Sequence, residues 1–278
     1  MSEITAHHGI LKDTNLHVDD TGGSERPVVL IHGWPLSGEA WGHQVPAFSA
    51  AGYRVVTYDR RGFGRSDKPH TGYDYDTLTE DLHTLLEALD LNDVTLVGFS
   101  MGGGEVARYF SKYGAERIHS VVFASAVPPY LLTTPGNPEG PLSPAEAAKM
   151  TASLTADEEA FYDDFTTKFF SVDGALKVSV EERQNALALA KQASKAAALE
   201  CLASFGSTDF RDDLPLVSVP TLVIHGDGDA IVPFEGSGRR IHEAISDSEL
   251  VILADAPHGV NVSHADEWNR AILSFLAK

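Results

Sequence analysis

The stretch from Val94 to Tyr113 leaves few folds open to this chain. Val94-Thr-Leu-Val97 is a short apolar run of the kind that forms a strand covered on both faces. It runs into Gly98-Phe99-Ser100-Met101-Gly102, and Glu105 to Tyr113 reads as a helix. Gly-x-Ser-x-Gly between a strand and a helix sets a serine on a sharp turn. The flanking glycines answer to backbone that passes too close for a Cβ. The helix N-terminus then faces the serine, and its free N–H groups and dipole favour negative charge there. Strand, strained serine and helix N-terminus together make a candidate nucleophile with half an anion site attached. The bare five-residue pattern also serves as a glycine-rich turn without chemistry, so the context carries the reading.

The rest of the chain alternates in the same manner. Val28 to His32, Arg54 to Tyr58, Ile118 to Ala124, Pro220 to His225 and Leu250 to Leu253 read as strands. Ala40 to Ala51, Thr77 to Leu89 and Ala265 to Ala277 read as helices; Leu78, Leu82, Leu85, Leu86 and Leu89 recur at helical spacing. Strands alternating with helices imply a mostly parallel, doubly wound α/β sheet. The alternation breaks at Val127-Pro-Pro-Tyr130. From there the pattern is helical only: Pro144 to Ala152, Asp157 to Phe170, Glu182 to Lys191 and Ser194 to Phe205. Residues 1–126 and 215–278 are thus expected to form the α/β core, with 127–214 inserted as a helical cap. Aromatics gather at Phe161, Tyr162, Phe165, Phe169 and Phe170; they hold these helices together or line a pocket, and sequence does not sort them.

Charge narrows the partners. The net charge of −19 over 278 residues argues against nucleic acid, whose phosphates need a basic surface. No apolar run reaches the roughly 18 residues of a membrane span. The first residues, Met-Ser-Glu-Ile-Thr-Ala-His-His, lack the basic and apolar regions of a signal peptide, so the expected compartment is the cytoplasm. The single cysteine, Cys201, sits in a helical pattern and is expected in the core. Asn261-Val-Ser263 fits a glycosylation pattern and is read as chance. Oligomeric state is open, a homo-oligomer included.

A serine hydroxyl needs an oriented base, and that base needs a carboxylate to fix its tautomer. In open α/β sheets such groups lie beyond the carboxyl ends of strands. His7, His8 and His17 are too near the N-terminus, and His83 and His242 fall within helices. His32 and His225 end strands ahead of glycines and read as turn residues, although His32 is placed to brace the anion site. His258, in Asp255-Ala-Pro-His-Gly259 after the last strand, is the best candidate base. The loop His225-Gly-Asp-Gly-Asp229 offers two carboxylates, Asp227 and Asp229, and spacing favours neither. The order serine, acid, histidine is that of α/β-hydrolases. An oxyanion hole needs two backbone donors: Met101 N–H, after the serine, and Trp34 N–H, in the loop after Val28 to His32. Pro35 cannot donate. Asp59 to Ser66 lacks the Gly-Lys-Ser/Thr ending of a phosphate loop, and no histidine pair has metal-ligand spacing. No cofactor, nucleotide or metal is implied.

Beyond these local readings, the chain resembles the α/β-hydrolase superfamily, and within it the bacterial aryl esterases grouped with the cofactor-free (non-haem) haloperoxidases. The likeness rests on His32-Gly-Trp-Pro35, Tyr58-Asp-Arg-Arg-Gly-Phe-Gly-Arg-Ser66, Val97 to Tyr109, His225-Gly-Asp-Gly-Asp229 with Ile231-Val-Pro233, and Asp255 to Gly259. It implies Ser100 as nucleophile, His258 as base, Asp229 as the acid, and Trp34 and Met101 as oxyanion donors. It also implies hydrolysis of small aryl or short-chain esters through an acyl-enzyme. Many members also catalyse perhydrolysis, and a proline after the oxyanion residue is usual in the perhydrolase-type members, as Pro35 is here. Some relatives cleave γ-lactams. A receptor for a small ligand on a hydrolase scaffold is the alternative of another class, since fold alone does not fix function.

Overall fold

The computed structural model describes residues 2–6 and 13–278; His7 and His8 lie outside the described residues. Strands β1 (Ser2–Ala6) and β2 (Thr14–Asp20) pair antiparallel. Strand β3 (Pro27–Ile31) is buried at every position and leads through a short 3-10 turn and α1 (Gln44–Ala50) to β4 (Arg54–Tyr58). Helix α2 (Tyr75–Ala88) precedes β5 (Val94–Phe99), and α3 (Gly102–Tyr113) leads to β6 (Ile118–Ala124). Four helices follow, α4 (Pro144–Ala156), α5 (Glu158–Phe169), α6 (Val180–Ala190) and α7 (Lys195–Ser207). A small hairpin, β7 (Ser171–Val172) and β8 (Ala175–Leu176), separates α5 from α6. The core resumes with β9 (Thr221–Gly226), α8 (Gly238–Ala244), β10 (Glu249–Leu253), α9 (Val260–Ser263) and α10 (Ala265–Leu276).

Eight strands form one sheet in the order β1-β2-β4-β3-β5-β6-β9-β10. From β4 to β10 every pairing is parallel. The fold is an α/β fold, a mostly parallel eight-stranded sheet with helices. The chain leaves β3 toward β4 on one side and returns to β5 on the other, so β3 and β5 flank the point where the strand order reverses. Ligands of open α/β sheets bind in the crevice at such a point. Ile31 pairs with Gly98, which brings Trp34, three residues on, beside Ser100, two residues on.

Three local differences have plain causes. Strands β1 and β2 are absent from the sequence reading; their apolar and polar positions alternate, and β2 buries only Thr14, Leu16 and Val18. The stretch between β6 and β9, expected to be helical only, is not helical throughout, because Asp173 and Gly174, both at positive φ, turn the chain between β7 and β8. Helix α3 starts at Gly102, three residues before the expected Glu105, because the glycine run is buried helix rather than loop.

The starts of α4 to α7 are set by side-chain caps. Ser143 and Ser179 each form a capping box, with Glu146 and Glu182 respectively. Asp157 caps α5 through the Ala160 N–H, and Ser194 caps α7 through the Ala197 N–H. Cys201 is fully buried on α7, where burial pushes its thiol pKa up and keeps it inert. Asn261 is buried, its amide facing the Ala40 carbonyl and Gln44. Among the described residues no helix is long and apolar enough to cross a membrane.

Candidate active site

Ser100 sits at φ +54°, a left-handed conformation that costs a non-glycine residue free energy and recurs at functional sites. Its neighbours enforce it. A Cβ on Gly98 would lie 2.7 Å from the Gly102 carbonyl oxygen, and one on Gly102 would lie 2.6 Å from that of Ile31. Only glycines let α3 turn this tightly off β5 and against β3.

The structure brings three of the residues singled out from sequence into one hydrogen-bonded chain. His258 Nε2 lies 2.9 Å from Ser100 Oγ, and His258 Nδ1 lies 2.6 Å from Asp229 Oδ2. A carboxylate only accepts, so Nδ1 carries the proton and Nε2 is left to accept from the serine hydroxyl. The other oxygen of Asp229 accepts from the Ile231 and Val232 N–H groups at 2.9 and 2.8 Å, which locks the carboxylate in place. Burial works to raise the Asp229 pKa, but His258, then His225, outweigh it and hold the group well below the usual carboxylate range. Asp227 points elsewhere: it is exposed and accepts from the Asp255 N–H at 2.7 Å. All three members of the chain are more than nine-tenths buried.

The two amides expected to hold an oxyanion lie on either side of Ser100. Among the described residues neither Trp34 N–H nor Met101 N–H donates to a protein acceptor. His32 fixes the first of them. Its Nδ1–H donates to the Gly33 carbonyl at 2.9 Å, and Gly33 C=O belongs to the same peptide unit as Trp34 N–H. His32 Nε2 in turn accepts from Arg60 N–H at 2.9 Å. Burial, reinforced by Arg60, lowers the His32 pKa to about 3, so the ring is neutral and keeps one donor and one acceptor. Below it Arg60 donates to the His32 carbonyl at 2.7 Å and forms a buried ion pair with Glu105. Glu105 also accepts from the Tyr58 hydroxyl at 2.7 Å.

Sequence reasoning missed the aromatic surround. The His258 ring lies between Phe99 (5.2 Å) and Phe169 (5.0 Å), the last residue of α5. Phe169 follows a helical spacing from Phe161 and Phe165, but no local signal shows that it meets a ring 89 residues away. His225, read as a turn residue, donates from Nε2 to the Val232 carbonyl at 2.8 Å and flanks Asp229 at 3.3 Å.

Ser100 opens onto a cleft of about 680 Å³ lined chiefly by residues of α4 and α5 and of the loop after β9. Trp34 forms part of its wall, ringed by Phe161, Tyr162, Phe165 and Phe205 at 5.1–6.4 Å. The cleft holds no histidine or cysteine, and no group of side chains suited to a metal ion occurs among the described residues.

Comparison with known proteins places this geometry in context. Residues 26–265 match the family described as the α/β hydrolase fold. The chain is similar to the crystal structure of a bromoperoxidase from Bacillus anthracis, with 51% identity, a TM-score of 0.95 and 100% of both chains covered. It is 41% identical to the non-haem chloroperoxidase CPO-A1 of Kitasatospora aureofaciens, over 92% of this chain and 94% of that one. It is 33% identical to a bifunctional esterase/perhydrolase of Acinetobacter calcoaceticus, over 99% of each.

Proposed function

The chain belongs to the α/β-hydrolase family, and on that premise we propose that it is a serine carboxylesterase acting on small aryl or short-chain esters. The observation that carries the proposal is the unbroken chain Asp229–His258–Ser100, with contacts of 2.6 and 2.9 Å, at the base of an apolar cleft. Ser100 Oγ attacks the ester carbonyl carbon while His258 Nε2 takes its proton. The C=O electron pair moves to oxygen, and Trp34 and Met101 N–H groups hold that oxyanion. Asp229 stabilises the imidazolium. Collapse of the intermediate breaks the ester C–O bond, and the alcohol leaves with the proton from His258. Water, deprotonated by His258, then cleaves the acyl-enzyme and restores Ser100. Residues 127–214 act as the cap that shapes the substrate cleft.

A second reading is favoured by the esterase/perhydrolase and haloperoxidase names among the relatives. Hydrogen peroxide replaces water at the last step: its oxygen attacks the acyl carbon, the bond to Ser100 Oγ breaks, the proton passes through His258 to Oγ, and the acyl group leaves as a peracid. Lactam cleavage would use the same groups.

The test is a fluorophosphonate probe with intact mass, run beside p-nitrophenyl acetate turnover with and without peroxide. One adduct, lost in Ser100→Ala along with at least about 10³-fold in rate, supports the serine mechanism. Near-normal turnover by S100A would end it. Peracid formation at matched peroxide separates perhydrolysis from hydrolysis. Ligand binding without any product would favour a receptor.

A further inference from the structure

The cleft is much larger than a short ester requires. At about 680 Å³ it lies within the range of pockets that enclose drug-sized ligands. Its shape follows from two helices. Helices α4 and α5 meet at Asp157, which ends one and caps the other. On α5 the lining positions are 157, 160, 161, 164, 165 and 168, the i, i+3, i+4 pattern of one unbroken helix face. At about 1.5 Å of rise per residue that face is about 16 Å long. Met150 and Ser153 of α4 form the facing bank.

Ring contacts orient this trough. Phe169, at the C-terminal end of α5, packs on His258; Phe165 and then Phe161 pass across Trp34 at 5.1 and 6.0 Å. The reacting end is therefore at the C-terminal turn of α5, and the trough leads away toward Asp157. Near Trp34 its floor is aromatic. Of the charged groups on its rim, Glu146 caps α4, Asp157 caps α5, Lys168 pairs with Asp164 at 2.7 Å, and Lys149 is exposed to solvent on α4.

We propose that this trough binds the long apolar arm of an ester, laid along α5 from Ser100 toward Asp157, so that medium-chain neutral esters are better substrates than acetates. The inference rests on the serine mechanism of that reading and replaces its short-chain preference with a medium-chain one. A longer arm covers more of Phe165, Phe161 and Ala160, and each buried methylene adds to transition-state binding if it stays in contact there. An acetate leaves the distal half of the trough wet.

The test is kcat/KM along the series p-nitrophenyl acetate, butyrate, octanoate and decanoate. Ala160→Trp blocks the trough toward its Asp157 end from an exposed position, which spares the core. Ala152→Trp, exposed on α4 and outside the cleft lining, is the control. The wild-type chain should favour octanoate over acetate, and A160W should lower the octanoate-to-acetate ratio at least about tenfold, the loss expected when two or more methylenes are expelled. A152W should keep the wild-type ratio. Acetate preference in the wild type, or a ratio that A160W does not move, would overturn the trough while leaving the serine mechanism standing. Loss of turnover on every ester together with no fluorophosphonate adduct would overturn the mechanism, and the trough with it.

Discussion

The indole Nε1–H of Trp34 donates to the carbonyl of Ala198 in α7 at 3.1 Å, so the residue that offers a main-chain N–H beside Ser100 is tied by its side chain to the inserted helices. Phe161 and Phe165 of α5 press on the same ring. Helices α5 and α7 and the loop beside Ser100 are thereby packed together.

Trp34→Phe keeps the main-chain N–H and a ring but removes this tie. We expect kcat to fall about tenfold, less than the loss of a whole oxyanion donor. Stability should fall by about 1–2 kcal/mol for the unpaired carbonyl and lost contacts. Steady-state kinetics and urea denaturation of one preparation measure both. A stability loss with kcat unchanged would make the tie structural only.

The two aspartates of the β9 loop should behave very differently. Asp229→Asn removes the acceptor that fixes the His258 tautomer and should lower kcat by about 10⁴. Asp227→Asn weakens a single contact to the Asp255 N–H and should cost about 1 kcal/mol of stability with little change in rate. Comparable rate losses in the two variants would refute the assignment.

Acid should weaken the fold through His32. Its folded pKa is about 3, below the ordinary histidine value of 6.5 that the unfolded chain regains. Between those values the unfolded chain holds the extra proton, so stability falls as pH falls through the window. One such proton contributes a slope of about 1.4 kcal/mol per pH unit. His32→Gln, whose carbonyl can still accept from Arg60 N–H, should show a shallower slope between pH 6 and about 4 in denaturation experiments. An unchanged slope would mean that other groups drive acid unfolding.

Glu105→Gln leaves Arg60 buried without a counter-charge. Removing one partner of a buried pair costs about 3–5 kcal/mol. Urea denaturation should read that loss. Because Arg60 also holds the His32 carbonyl and ring, kcat should fall even where the variant is fully folded.

Much of the site was legible because its parts are local. Gly98 to Gly102 announces a serine at a strand-to-helix turn, since only glycine fits where Gly98 meets α3 and Gly102 meets Ile31. His258 follows the last strand of the sheet, and its place in the chain marks it. Strands β1 and β2 went unread because they precede the βα alternation and pair antiparallel, where the burial pattern is period two and weak. The β7–β8 hairpin has two residues per strand, too few for any periodicity to register.

Sequence by itself determined the alternation of apolar runs and helices, the strained serine turn and the order serine, acid, histidine. Those depend on steric rules and periodicities that act over a few residues. Only the tertiary structure decided that Asp229 faces His258 while Asp227 does not, that Phe169 closes over the imidazole, and that α4 and α5 leave a trough above Ser100. These depend on contacts between residues 29 and 158 positions apart. The contacts among Ser100, Asp229 and His258 are set by the order of β5, β9 and β10 in the sheet, and the closure of Phe169 and the trough by how α4 and α5 pack over the carboxyl ends of those strands.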